Sequence, residues 1–203
     1  TSKSNKVLTF EPEHFFENYR TLFSIPESNT LKYLQTRKIS NGIQANYTGY
    51  YKGIKANVGA NINMSNDGSI ISLSYTLFNP SENFDVTPAI TEREAFQIAL
   101  KAMPANNFIW QEPWRSMNIE HNKRDNPNSK GIGFSEPVGQ LAITQQYYET
   151  DKMTPYLVYQ FSIPLADRGA RMTHTWHVEI SAKDGKVISV KDTREHCNDP
   201  CVF

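Results

Sequence analysis

At 203 residues the chain has room for one large domain or two small ones. Its 21 basic and 21 acidic residues cancel, so it lacks the basic excess that nucleic-acid binders carry. Hydrophobic residues make up 38%, enough for a packed core, but no apolar run approaches the roughly 20 residues of a membrane helix. Nucleic acid and membrane are therefore not expected partners.

The opening Thr1-Ser2-Lys3-Ser4-Asn5-Lys6 lacks the apolar centre of a signal peptide. The expectation for a secreted protein is that this peptide has already been removed. Next, Phe15, Phe16, Tyr19, Leu22 and Phe23 recur at helical spacing, with Pro12 suited to a first turn and Pro26 to a stop. A helix over 12–23 is predicted, lying on a sheet.

Strand patterns follow. Ile43, Ala45, Tyr47, Gly49 and Tyr51 alternate with mostly polar neighbours, as do Val58, Ala60, Ile62 and Met64. Asn66-Asp67-Gly68 predicts a tight hairpin turn, with Ile71, Leu73, Tyr75 and Leu77 on the return strand. Periodicity breaks across 79–88, the predicted boundary between two halves.

The second half opens on Thr91-Glu92-Arg93-Glu94, whose Thr91 and Glu94 can form a reciprocal capping box. Ala95, Phe96, Ile98, Ala99, Leu100 and Met103 fill a helix that Pro104 ends. Polar, irregular sequence runs from Asn118 to Pro137, and 121–131 is predicted to be a loop. Strands are predicted over 140–146, 156–163, 174–180 and 187–190, the last two joined at Lys183-Asp184-Gly185-Lys186. Asp67-Gly68-Ser69-Ile70-Ile71-Ser72-Leu73 echoes Asp184-Gly185-Lys186-Val187-Ile188-Ser189-Val190 in character. The predicted class is α+β, two cystatin-like units, each a helix packed on an antiparallel sheet.

The two cysteines, Cys197 and Cys201, close the chain. A disulfide is the first expectation, and it would stabilise the tail by roughly 2 kcal/mol through loop closure. Two free thiols, or a thiolate ligand or redox pair, are the alternatives. An oxidising compartment fits such pairing.

Catalytic patterns are missing. None of His14, His121, His174, His177 and His196 begins the His-Glu-Xaa-Xaa-His pattern that places two imidazoles and a carboxylate on one helix face. His174 and His177 stand three apart on a predicted strand, hence on opposite faces. Gly131-Ile132-Gly133 is too short for a phosphate loop, and no Gly-Xaa-Ser-Xaa-Gly elbow occurs. Glu92, Glu94, Asp184 and Glu195 read as caps, turns and exposed side chains. Tyr147, Tyr148, Tyr156 and Tyr159 read as core or interface residues. Asn46-Tyr47-Thr48 and Asn63-Met64-Ser65 match the glycosylation acceptor pattern, both on predicted strands. No cofactor and no catalytic residue is expected.

Tyr50-Tyr51-Lys52-Gly53-Ile54, an alternating strand, Asp67-Gly68 and a second such strand together resemble the propeptide domain shared by fungalysins and thermolysins. Ile90-Thr91, Glu94-Ala95, Thr175-Trp176-His177-Val178-Glu179-Ile180 and Asp184-Gly185-Lys186-Val187-Ile188 resemble a PepSY domain. Lys191-Asp192-Thr193 before a cysteine resembles the stretch joining propeptide to catalytic domain in fungalysin-like proteins of bacteria. One departure is Lys55-Ala56, where the family has Pro-Val.

The resemblance implies a propeptide domain over 1–86, a PepSY-like domain over 87–194 and a tail or linker over 195–203. It further implies a secreted inhibitor and folding assistant of a zinc metalloprotease, fungalysin-like more than thermolysin-like, whose catalytic domain is the partner. By family analogy Arg194, Glu195, His196, Val202 and Phe203 would contact the protease cleft. The alternative is a freestanding extracellular binding or inhibitor module.

Overall fold

The computed structural model describes residues 10–80, 84–104, 107–111, 136–147, 153–165 and 174–193. The loop predicted over 121–131 lies outside them. The chain divides into two compact units, Thr1–Val86 with Ala142–Pro155, and Thr87–Leu141 with Tyr156–Phe203.

The first unit opens on α1 (Phe15–Asn18) and continues as an antiparallel meander of β1 (Asn29–Ile39), β2 (Gly42–Tyr51), β3 (Ile54–Met64) and β4 (Ile70–Tyr75). The helix predicted over 12–23 is therefore one turn long. His14 at its N-cap supplies no side-chain acceptor, and Phe, Tyr and Asn are weak helix formers. Hydrogen bonds from Tyr19 N to Phe15 O and from Phe23 N to Tyr19 O still keep the backbone coiled. The helical spacing thus delivers Phe15 and Phe16 to the core and packs Tyr19 and Phe23 against it, through turns.

Two hairpin turns follow the local chemistry. Tyr51 pairs with Ile54, leaving Lys52-Gly53 as a two-residue loop with φ of 47° and 82°. Both central residues at positive φ match the twist of the flanking strands. Between β3 and β4, Gly68 takes φ 86° and its amide donates to Ser65 O at 3.0 Å.

β1 was not predicted. Leu31 and Tyr33 face the core, but Leu34 is unpaired in a bulge between Tyr33 and Gln35. A bulge moves the following residues out of phase, so the alternation that marks a strand is interrupted.

The second unit holds α2 (Glu92–Ala102), a 3-10 turn at Ile109–Gln111, and the strands β6 (Met153–Leu165), β7 (His174–Ser181) and β8 (Val187–Asp192), of which β6 begins in the first unit. α2 packs on β7 and β8 and buries Ala95, Phe96 and Ala99, with Phe96 lying 5.4 Å from Phe161. Its capping box is complete: Glu94 N donates to Thr91 Oγ1 at 3.2 Å, and Thr91 N to Glu94 Oε2 at 2.8 Å.

β5 (Gln140–Tyr147) corrects the predicted class. From Ala142 onward it belongs to the first unit, where Ala142 and Ile143 pair in parallel with Lys55 and Ala56 of β3. The chain does not form two cystatin-like units, each a helix on its own antiparallel sheet. Strand accounts for 51% of the described residues. In the first unit β1, β2 and β3 are hydrogen-bonded in that order, with β4 and β5 both pairing β3; in the second, β6, β7 and β8 are hydrogen-bonded in that order. A parallel pair needs a long crossover between its strands, and local periodicity carries no record of that partner choice.

Candidate functional site

The first unit offers a groove between α1 and β1, with a cavity of about 600 Å³. Its apolar lining is Phe16, Ile25, Leu31 and Tyr33, all of which belong to or pack against the core. Glu13, Glu17 and Arg20 supply its charges, and Lys32 lines it while its ammonium lies over the Tyr50 ring. Arg20 shapes the wall, because its Nη2 donates to Asn29 O at 2.8 Å and also to Pro26 O. That ties the approach to β1 onto the one-turn helix.

β1 itself has a single strand neighbour, β2, and its second edge meets no strand among the described residues. An unpaired edge presents main-chain donors and acceptors to an incoming chain. A groove beside such an edge suits an extended peptide, whose backbone adds to the edge while alternate side chains enter pockets.

Beneath the groove lies an aromatic cluster. The Tyr47 ring meets Phe16 edge-on at 4.8 Å and Tyr33 at 5.9 Å. Its hydroxyl is buried and has no hydrogen-bond partner among the described residues. Burial, and secondarily the charge of a neighbouring Tyr33, raises the Tyr47 phenol far above its ordinary range. Tyr47 therefore stays neutral and serves packing.

Four of the other residues singled out from sequence have structural partners among the described residues. Glu92 Oε1 accepts from Gly139 N at 2.9 Å, and the Thr91 amide and hydroxyl hold Glu94 below the usual carboxylate range. Asp184 is lowered too, first by the Ser181 hydroxyl and then by the Lys186 amide, in the β7–β8 turn. Tyr159 donates to Ile90 O at 3.3 Å, and burial followed by the Glu92 charge raises its phenol.

His174 begins β7 opposite Leu165, while His177 Nδ1 lies 3.2 Å from Ser162 Oγ. Among the described residues no three His, Cys, Asp or Glu side chains gather as a metal site. Asn46 Nδ2 is buried within β2, and Asn63 Nδ2 donates to Ser72 Oγ at 2.9 Å. Cys197, Cys201 and the tail residues Arg194, Glu195, His196, Val202 and Phe203 lie outside the described residues. No helix among the described residues is long and apolar enough to cross a membrane.

Sequence reading missed the groove and the edge together, since both depend on β1. The usable signal was Leu31 and Tyr33 two apart, followed by Asn41-Gly42 as a turn. Comparison with known protein families and with curated proteins finds no match.

Proposed function

We propose that the chain is the propeptide region of a secreted zinc metalloprotease and acts as inhibitor and folding assistant of its catalytic domain. The observation that carries this reading is the order of local signatures along the chain. Lys52-Gly53, Asp67-Gly68, the Thr91–Glu94 box and Asp184-Gly185 follow one another as in the propeptide and PepSY families. The open edge of β1 supports it further, because strand addition to an edge is a common way for one protein to hold an extended segment of another. Inhibition of this kind is a protein–protein contact and requires no catalytic group from this chain.

The test is a peptidase assay with the metalloprotease domain encoded downstream in the same reading frame, this chain being added in trans. The expected result is inhibition at micromolar chain, selective over an unrelated metalloprotease, together with a higher refolding yield of the denatured catalytic domain. Covalent linkage normally supplies a high local concentration, so affinity in trans is expected to be modest. Failure of both readouts with folded, intact chain, or a stop codon before any His-Glu-Xaa-Xaa-His motif, would instead favour a freestanding module.

A further inference from the structure

The meander of the first unit has a second face, turned away from α1 and the aromatic core. Strand register assigns its positions in rows. One row runs Arg37, Gln44, Asn63, Ser72 across β1 to β4, each residue directly opposite the next. These side chains form a continuous hydrogen-bonded line. Arg37 Nε donates to Gln44 Oε1 at 2.8 Å, Gln44 Nε2 to Asn63 Oδ1 at 2.8 Å, and Asn63 Nδ2 to Ser72 Oγ at 2.9 Å. The adjacent row is Gln35, Asn46, Asn61, Ser74. Beyond it Lys32 stands opposite Thr48, and Tyr50 opposite Lys55.

Lys32, Arg37 and Lys55 are exposed on the polar face, where no paired position holds a carboxylate. The opposite, core face, on which α1 packs, carries both signs: Glu11, Glu13 and Glu17 are exposed in and beside α1, Arg20 lies among them, and Lys38 is exposed opposite Ile43. The Lys32 ammonium is held 4.6 Å over the Tyr50 ring, which keeps that cation on the polar side. The exposed aliphatic side chains Leu34 and Ile71 are each the unpaired residue of a bulge, on the two outer strands.

We propose that this face binds an anionic polysaccharide, carboxylated or sulfated. Its paired positions are amides, hydroxyls and cations, which hydrogen-bond to sugar hydroxyls and neutralise acidic groups. Successive strands are roughly 4.8 Å apart, so donors and acceptors repeat at close intervals across the sheet. A protein partner would call for a central aromatic or apolar anchor, and a membrane for apolar residues to insert. The centre of this face has neither.

The experiment measures binding of the full chain to polygalacturonate and to heparin, with dextran as the uncharged control. Expected is salt-sensitive binding to at least one of the two polyanions and none to dextran. The triple variant Lys32→Gln/Arg37→Gln/Lys55→Gln should bind about tenfold more weakly. The pair Gln35→Ala/Asn61→Ala should bind roughly threefold more weakly at unchanged net charge, because only hydrogen bonding is lost. Arg93→Gln/Lys101→Gln/Lys191→Gln in the second unit should leave binding unaltered. All substituted side chains are exposed, and circular dichroism verifies that each variant is folded. Absence of binding, equal binding to dextran, equal loss in the second-unit triple, or an unaffected Gln35/Asn61 pair would each overturn the proposal. Binding to only one polyanion would support it and identify the acidic group.

Discussion

Two residues of the first unit carry signals that an experiment can isolate. The Ser65 hydroxyl, followed by Ser69, whose amide donates at 3.0 Å, holds Asp67 down at about 2. A folded-state value below the unfolded one, about 3.9, gives stabilisation that is complete above the unfolded value. It is then lost as pH falls from about 4 to about 2. Wild type and Asp67→Asn should therefore differ in denaturant midpoint at pH 6 and converge towards pH 2. A gap of constant size would show that the turn does not depend on the charged carboxylate. Tyr47 makes the opposite case. Its buried hydroxyl lacks a partner among the described residues, so Tyr47→Phe removes an uncompensated polar group. The urea midpoint should hold or rise, by an amount corresponding to at most about 1 kcal/mol. A marked fall would reveal a partner for that oxygen.

At the scale of elements, α2 and α1 behave differently, and their caps show why. Thr91 and Glu94 satisfy backbone donors reciprocally, and Glu92–Ala102 follows as a full helix. Thr91→Ala should cost about 1 kcal/mol, read as a lower denaturant midpoint. The start of β5 is fitted as closely. A Cβ added at Gly139 would lie 2.5 Å from the Phe161 ring and 3.0 Å from the Glu92 side chain. Gly139→Ala should therefore destabilise by about 1–3 kcal/mol, the range for overpacking. An unchanged midpoint would mean that Phe161 moves aside freely. In the first unit, Phe15 and Phe16 reach the core from one helical turn. Spacing alone suggested three turns there, because i, i+4 and i+8 positions stay on one side in successive turns as well as in a helix.

At the scale of the molecule, the pairing of β5 with β3 sets the first unit apart from a segment contiguous in sequence. Ala142 and Ile143 are buried where they pair with Lys55 and Ala56. A fragment ending at Val86 lacks them, and should melt below the first-unit transition of the full chain. Ile143→Ala in the full chain should cost about 2–5 kcal/mol by leaving a cavity. If the fragment keeps the full melting temperature, the β3–β5 pairing contributes nothing to the unit.

What the amino-acid sequence determined by itself is local: the Thr91–Glu94 cap, the Asp67-Gly68 and Asp184-Gly185 turns, and the alternation of β2, β3 and β7. Each depends on groups within a few residues of one another, and their chemistry is independent of the rest of the chain. Only tertiary structure decided that β5 joins β3 and that β1 resumes after the Leu34 bulge. Those outcomes depend on which edges and faces meet over long separations, and a two-residue period is the same for either choice of neighbour. The groove beside β1 and the polar rows of the outer face belong to this second kind. Gln44 and Asn63 are ordinary polar residues in the sequence, and they become parts of one line of hydrogen bonds only when register sets them side by side.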